Sequence, residues 1–550
     1  MATPITPRDT FARDMLPPRK LWPDFINLDA YHYPDSLNCA SALLDAVIDE
    51  GLGDQDFIYS ETTSWSYLEF QQQANRIAAV LVEDYQLIPG ERVLLDSPNS
   101  PLMAACWFGI VKAGGIVVAT MPMLKGKEMA VICDKAEVRL ALGDEKLRDE
   151  LEVAMELSAP LTHLLCYGKG ELEHLMKQKS GHFEAVATAA DDVCLIAFTS
   201  GTTGVPKGTM HFHRDVMSIC NSFCKEVLRP RPEDIFIGSP PLAFTFGLGA
   251  LLLFPMASRA KTVLLEKPTP DNLAAAIETY GATTLLTAPT AYRHILAHFD
   301  DYKLGSLQKC VSAGEPLPKA TFDAWHEASG IKLIDGIGAT EMLHIFISAC
   351  GDEIRPGSTG KPIPGFEAKI IDENGQEVEV GEVGRLAVRG PTGCRYLGDD
   401  RQAKYVLDGW NITGDAYRMD EDGYYWFQSR ADDMIISSGY NIAGPEVENA
   451  LLLHPAVEEV AVVAKPDEER GSIVKAYIVL ADGSRPGDDE QLAELITALQ
   501  THVKSTIAPY KYPRAIDFVE SLPKTATGKI QRFALRQLES ERAGAGKLSN

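Results

Sequence analysis

Positive charge is what this sequence is short of. Lysine and arginine number 52 against 77 aspartates and glutamates, a net charge of −25 at pH 7. That balance excludes a broad basic surface for nucleic acid or an anionic membrane, so an anionic ligand has to be held by locally focused cations. Cysteine is sparse too: ten residues, from Cys39 to Cys394, form neither the dense regular spacing of a disulfide framework nor a CxxC pair. Cys220 and Cys224 lie four apart without a partnered histidine cluster, and read as small buried hydrophobes rather than zinc ligands. Reduced thiols and a cytoplasmic setting are expected. The opening MATPITPRDTFARDMLPPRK has no apolar core, so no secretory leader is expected, and the final KLSN does not end in Ser-Lys-Leu. Internal repeats and low-complexity linkers are absent. The longest apolar stretch, 102–124, is interrupted by Lys112 and a Gly114-Gly115 break; it predicts a buried helix, turn and strand rather than a membrane span.

What is present is ordinary globular material, 45% hydrophobic and 23% charged over 550 residues, enough for three to four folding units of roughly 150 residues each. Helical periodicity alternates with β-branched runs: 67–84 then 92–95, 102–112 then 116–119, 271–280 then 284–288, and 319–329 then 331–335. This is the rhythm of an α/β fold with parallel sheets. From about residue 360 short strands and turn signals take over, predicting a β-rich subdomain over about 360–430. A compact α+β pattern follows: a helix near 445–453, strands near 457–464 and 474–480, a helix over 489–506 and a basic tail helix after Gly528. The expected organisation is a large N-terminal domain, 1–432, and a mobile C-terminal domain, 433–550, hinged near Asp432.

The sharpest local signal is 199–208, TSGTTGVPKG, entered from an apolar run. Glycines, hydroxyls and one lysine in ten residues can form a backbone nest for phosphate oxygens. A Walker A loop needs Lys followed by Ser or Thr, and here Lys207 is followed by Gly208; a P-loop ATPase is disfavoured.

The segment resembles the phosphate-binding signature of the adenylate-forming superfamily, which includes acyl-CoA ligases, peptide-synthetase adenylation domains and luciferases. Five further segments resemble the family's other motifs in order: SAGEPLP at 312–318 (adenine loop), DGIGATE at 335–341 (second nucleotide motif), TGD at 413–415 (ribose), RADD at 430–433 (hinge) and PKTATGK at 523–529 (C-terminal lysine). The resemblance implies ATP, Mg²⁺ and coenzyme A as ligands and a two-step reaction. An acid and ATP give an acyl-adenylate and pyrophosphate; a thiol then displaces AMP. It implies Lys529, Glu341, Thr340 and Lys207 as the catalytic set, with Glu341 holding the metal, since a hard divalent cation takes carboxylate and phosphate oxygens. Lys529 would supply positive charge where negative charge builds on the α-phosphate. ATP binding falls to Thr199, Ser200, Gly201, Thr202, Thr203, Gly204, Ala313, Gly314, Glu315, Asp335, Gly336, Ile337, Asp415 and Arg430. Asp415 can accept from two vicinal ribose hydroxyls and Arg430 can donate to the same sugar. Gly439 would line the pantetheine channel after the C-terminal domain rotates about Asp432.

Two positions depart from the family pattern. Ile337 stands where an aromatic residue often stacks on adenine, and Phe244 where many members carry a histidine. The residues implied for the acyl pocket, Phe244, Thr245, Phe246, Gly338 and His344 with Ile337, favour a short flat slot. The strings DGIGATEMLHIFI and PPLAFTFGLG look most like benzoate and 2-aminobenzoate CoA ligases, with 2-aminobenzoate favoured. Alternatives are benzoate, another aryl acid, or an adenylating enzyme that loads a carrier protein. Partners are then small molecules, with no nucleic acid or membrane, and the chain a monomer or homodimer.

Overall fold

The computed structural model describes residues 8–199, 206–430, 433–437, 440–467, 470–481, 488–507, 509–524 and 529–547. Among these residues two large, mainly parallel sheets form the first part of the chain. A six-stranded sheet runs, in spatial order, His163–Tyr167, Leu140–Asp144, Arg92–Asp96, Ile116–Thr120, Val193–Thr199, Lys207–Phe212. Only its last pair is antiparallel. Arg92–Asp96 and Ile116–Thr120 are buried at every position, as expected of strands covered by helices on both faces. The helix Tyr67–Ala79 starts from a Ser66–Glu69 capping box, and Pro101–Lys112 starts from the Ser100 side chain with proline in its first turn. Lys112, the charge that interrupts the long apolar run, reaches Asp45 at 2.6 Å. It lies in a buried helix–turn–strand, and no helix among the described residues is long and apolar enough to cross a membrane.

The second sheet has nine strands among the described residues, in the order Lys361–Pro362, Ile345–Ser348, Ile334–Gly338, Lys309–Ala313, Thr284–Thr287, Ile235–Gly238, Lys261–Val263, Asp56–Tyr59, Ser64–Ser66. The strand expected at 331–335 lies three residues later, at Ile334–Gly338. A Cβ on Gly336 would meet Ile345 at 2.9 Å, so glycine permits close packing within this strand. The parallel strands Thr284–Thr287, Lys309–Ala313 and Ile334–Gly338 are neighbours, so the adenine-like loop and the second nucleotide-like motif both leave from the carboxyl edge of one sheet, where open α/β sheets bind ligands.

The β-rich unit is a curled antiparallel sheet of Glu367–Ile371, Val383–Arg389, Trp410–Met419 and Val406–Leu407, with Tyr425–Arg430 paired onto Trp410–Met419. The C-terminal part packs the helices Gly444–Leu452, Asp489–Thr506 and Arg532–Lys547 with a sheet of Val457–Asp467, Gly471–Leu480 and Ala515–Phe518.

Candidate functional site

Three side chains from distant parts of the chain converge where the six-stranded sheet meets the nine-stranded one. Lys207 begins the Lys207–Phe212 strand, directly after the glycine-rich loop. Its Nζ donates to Glu341 Oε1 at 2.8 Å and to the Tyr396 hydroxyl at 2.7 Å, and Tyr396 donates to the same Oε1 at 2.5 Å. The ammonium also lies 4.9 Å and 5.5 Å from the ring centroids of Tyr396 and Tyr405, within cation–π range. Burial would raise the Glu341 carboxyl, but the Lys207 charge and the two hydrogen bonds hold it below its ordinary value. Burial keeps the Tyr396 phenol protonated and a donor. The result is a fixed carboxylate whose Oε1 is fully engaged by the protein.

Asp415 and Arg430 face each other on paired strands, Arg430 Nη1 donating to Asp415 Oδ1 at 2.8 Å. Burial raises the Asp415 carboxyl despite Arg430. Gly414, at φ +78°, leaves room for the guanidinium: a Cβ there would lie 3.1 Å from Arg430 Nη2. Lys529 arrives from the C-terminal part of the chain, its Cε 3.9 Å from where a Cβ on Gly314 would stand. Desolvation lowers its pKa while Glu315 and Asp415 pull it back up and Arg430 opposes them. Those three neighbours are the adenine-like, ribose-like and hinge-like motif residues, so the structure brings the lysine to the nucleotide motifs. Glu315 accepts from Thr290 Oγ1 at 2.9 Å. Ala313 is buried at the strand end, and burial raises the Asp335 carboxyl to about 7 against a Gly336 N–H that favours its ionised form.

A separate apolar cluster is built around His344. The short 3₁₀ turn Thr340–Met342 ends in Leu343, a buried residue at φ +69°, ψ −34°, a conformation that non-glycine residues adopt only under strain. That turn separates Glu341 from His344. The His344 ring is 3% exposed, with Phe254 at 4.5 Å edge-on, Phe223 at 5.4 Å and Phe246 at 5.7 Å between ring centroids. Neither ring nitrogen completes a hydrogen bond among the described residues. Burial lowers its pKa to about 3, with a polar contact to the Phe246 backbone opposing the shift, so the imidazole is neutral. The ring fits only because residue 249 is glycine: a Cβ there would lie 2.4 Å from His344 Cδ2. Gly338 packs against the His344 backbone in the same way, at 2.9 Å. Thr245 is buried at the start of the Thr245–Leu248 helix, which Phe244 precedes, while Ile337 is half-buried beside Gly338 and packs on the main core.

Ser200, Gly201, Thr202, Thr203, Gly204, Asp432 and Gly439 lie outside the described residues. Thr199 ends the preceding strand, its hydroxyl buried without a partner among the described residues. Thr340 meets His211 through its carbonyl, which accepts from His211 Nε2 at 2.8 Å. Sequence reasoning missed Tyr396, Tyr405 and His211: no spacing ties residue 396 to 207 or 341, and only the folded chain brings them together. It also missed Cys39, Cys194 and His213, which bring two thiols and an imidazole within 4.8 Å of one another. The His213 Nδ1 already accepts the Cys39 N–H at 3.1 Å, which satisfies that nitrogen and makes the trio core packing.

Comparison with known proteins gives the chain a family. The model of the AMP-binding enzyme family matches residues 46–396, and that of the AMP-binding enzyme C-terminal domain matches residues 446–529. The chain belongs to the AMP-binding enzyme family. The resemblance to adenylate-forming acyl-CoA ligases read from its motifs therefore stands. This AMP-binding enzyme is 35% identical over 516 residues to a benzoate–CoA ligase of Thauera aromatica, an alignment covering 92% of this chain and 97% of the relative. Among solved structures it is similar to the anthranilate CoA ligase AuaEII in complex with anthranoyl-AMP, with a TM-score of 0.89, 34% identity, and 94% of this chain and 99% of that one covered. A benzoate CoA ligase from Burkholderia xenovorans LB400 is similar at a TM-score of 0.82 and 31% identity, covering 91% of this chain and 100% of that one.

Proposed function

We propose that this enzyme is an AMP-forming aryl acid–CoA ligase and that 2-aminobenzoate is its preferred acid. The carboxylate attacks the α-phosphate of ATP and releases pyrophosphate; the thiol of coenzyme A then attacks the acyl carbon and releases AMP. Lys529 serves the first step, its ammonium countering charge that builds on the α-phosphate between two anionic reactants. Lys207 holds the phosphate side of the cleft, and Asp415 with Arg430 the ribose. Glu341 suits Mg²⁺: Oε1 is spent on Lys207 and Tyr396, and the carboxylate is ionised, so Oε2 would hold the ion, which when bound neutralises phosphate charge. The ten unpaired cysteines favour a reducing, cytosolic setting.

The observation that carries the choice of acid is the His344 cage. A neutral imidazole walled by three phenylalanines, with neither nitrogen completing a hydrogen bond among the described residues, costs about 1–3 kcal/mol until something satisfies it. A flat ring bearing an ortho-amino group does both: the ring packs on the aromatic walls, and the amino group pairs with an imidazole nitrogen or Thr245. The benzoate and anthranilate ligases among its relatives support the aryl class. The test is kcat/KM for 2-aminobenzoate against benzoate in the wild type and in His344→Ala. We expect 2-aminobenzoate to lead by about tenfold, the worth of one well-placed hydrogen bond, and His344→Ala to collapse that ratio. An unchanged ratio removes His344 as the discriminating residue.

A further inference from the structure

The Lys207–Tyr396–Glu341 cluster is held from behind by a second set of charges. His211 follows Lys207 by four residues on the same strand and is fully buried. Its Nε2 lies 2.8 Å from the carbonyl oxygen of Thr340, the residue before Glu341. A carbonyl only accepts, so Nε2 carries the proton and the neutral ring donates. Behind it lies the fully buried ion pair of Arg395 and Asp215, with Asp215 Oδ2 3.9 Å from His211 Nδ1. Asp215 Oδ2 also accepts the Phe212 N–H at 2.9 Å, closing the end of the strand that Lys207 begins. Arg395 is the neighbour of Tyr396. It joins that segment to the strand twice, its carbonyl accepting the Met210 N–H at 2.8 Å and its Nε donating to the Met210 carbonyl at 3.3 Å. Its guanidinium lies 3.9 Å from the Phe212 ring centroid. The Lys207 strand is thus tied to each of the other two segments by a bond that involves none of the three cluster side chains. The Lys207 strand meets the Glu341 turn through His211, and the Tyr396 segment through Arg395.

We propose that His211 is a positioning residue for the adenylation half-reaction, on a strand that the Arg395–Asp215 pair holds at its far end. It donates to the Thr340 carbonyl and so sets where the Glu341 carboxylate stands relative to Lys207. Buried charges are costly unless paired, and a pair placed here fixes one arrangement of strand, turn and loop. The inference rests on reading Lys207 and Glu341 as nucleotide-site residues, and it goes beyond that reading in assigning a role to a side chain that cannot touch substrate.

Two variants isolate the hydrogen bond without removing polarity. His211→Gln places an amide donor where Nε2 stands, and His211→Asn places it one carbon short, at the Nδ1 position, leaving the Thr340 carbonyl bare. Pyrophosphate release with saturating acid, its KM for Mg-ATP, thiolysis of supplied aryl-adenylate, and Tm are measured for both, with Glu341→Gln as the control. We expect His211→Asn to slow pyrophosphate release or raise KM for ATP by about tenfold, and His211→Gln to stay within about threefold of wild type, with thiolysis of the supplied adenylate changed less than about twofold in each. Equal losses in both variants, or losses shared equally by the two half-reactions, would show His211 to be structural and overturn the proposal. Should Glu341→Gln itself leave pyrophosphate release intact, the nucleotide-site reading falls first.

Discussion

Single residues in this enzyme carry charge according to how much water they lose and which partners replace it. Glu341 and Asp96 are both almost wholly buried carboxyls with opposite outcomes. Glu341 has an ammonium and a phenol on one oxygen and stays ionised. Asp96, at the carboxyl end of a central strand, has among the described residues the Thr120 hydroxyl at 2.9 Å; burial raises it to about 7, the Thr120 bond offsetting part of this and Asp144 adding to it. The consequence for stability has a definite sign. An acid whose native pKa is raised binds more protons folded than unfolded between about pH 4 and pH 7, so its contribution to stability falls as pH rises through that window. Asp96→Asn keeps the acceptor for Thr120 and removes the ionisation. Its Tm should match wild type near pH 4 and exceed it above pH 7, with a gain on the order of 2–4 kcal/mol. Equal Tm values at both pH values would mean that Asp96 is ionised in the native state.

Between elements, the contact that most constrains the proposed acyl site is the one between Gly249, where the helical segment Gly249–Leu253 begins, and His344, just before the strand Ile345–Ser348. Gly249→Ala forces the ring or the helix to move and should cost about 1–3 kcal/mol, the usual penalty for overpacking. In a His344→Ala background the same change fills vacated space. Thermal or urea unfolding of the two single variants and the double variant should therefore show a coupling above about 0.5 kcal/mol; additive effects would show that the two residues do not share that space. Elements of this kind were only partly legible beforehand. The helices Lys319–Ser329 and Asp489–Thr506 stand where periodicity placed them, because a cap or flanking proline and a regular apolar face are local properties. The strand Ile334–Gly338 was displaced because its glycines answer to Ile345, a partner the local pattern cannot name. Leu343 at positive φ carried no warning at all, since nothing about leucine marks a turn.

At the scale of the whole molecule, the ordered motifs were readable because each is a short backbone-and-side-chain device repeated at its own place along the chain. What they build together was not, because the closing contacts are long-range: Lys207 to Glu341 and Tyr396, Arg395 to Asp215, Lys529 to the cleft formed by Gly314, Asp415 and Arg430. A chain with net charge −25 that binds ATP and an anionic acid needs its cations concentrated at one place, and Lys207, Arg430 and Lys529 are gathered there. The C-terminal part supplies the last of them, so on the proposed reading the chemistry draws on both ends of the chain. The reading predicts a reaction that depends on an aryl acid, on coenzyme A and on that lysine separately. The direct test is pyrophosphate release with Mg-ATP across 2-aminobenzoate, benzoate, 4-hydroxycinnamate, acetate and octanoate, each with and without coenzyme A, for wild type and Lys529→Ala. The account predicts release led by 2-aminobenzoate, turnover only with coenzyme A, and loss of release in Lys529→Ala while supplied aryl-adenylate is still thiolysed. Release led by an aliphatic acid, or an adenylate that coenzyme A leaves untouched, would contradict it.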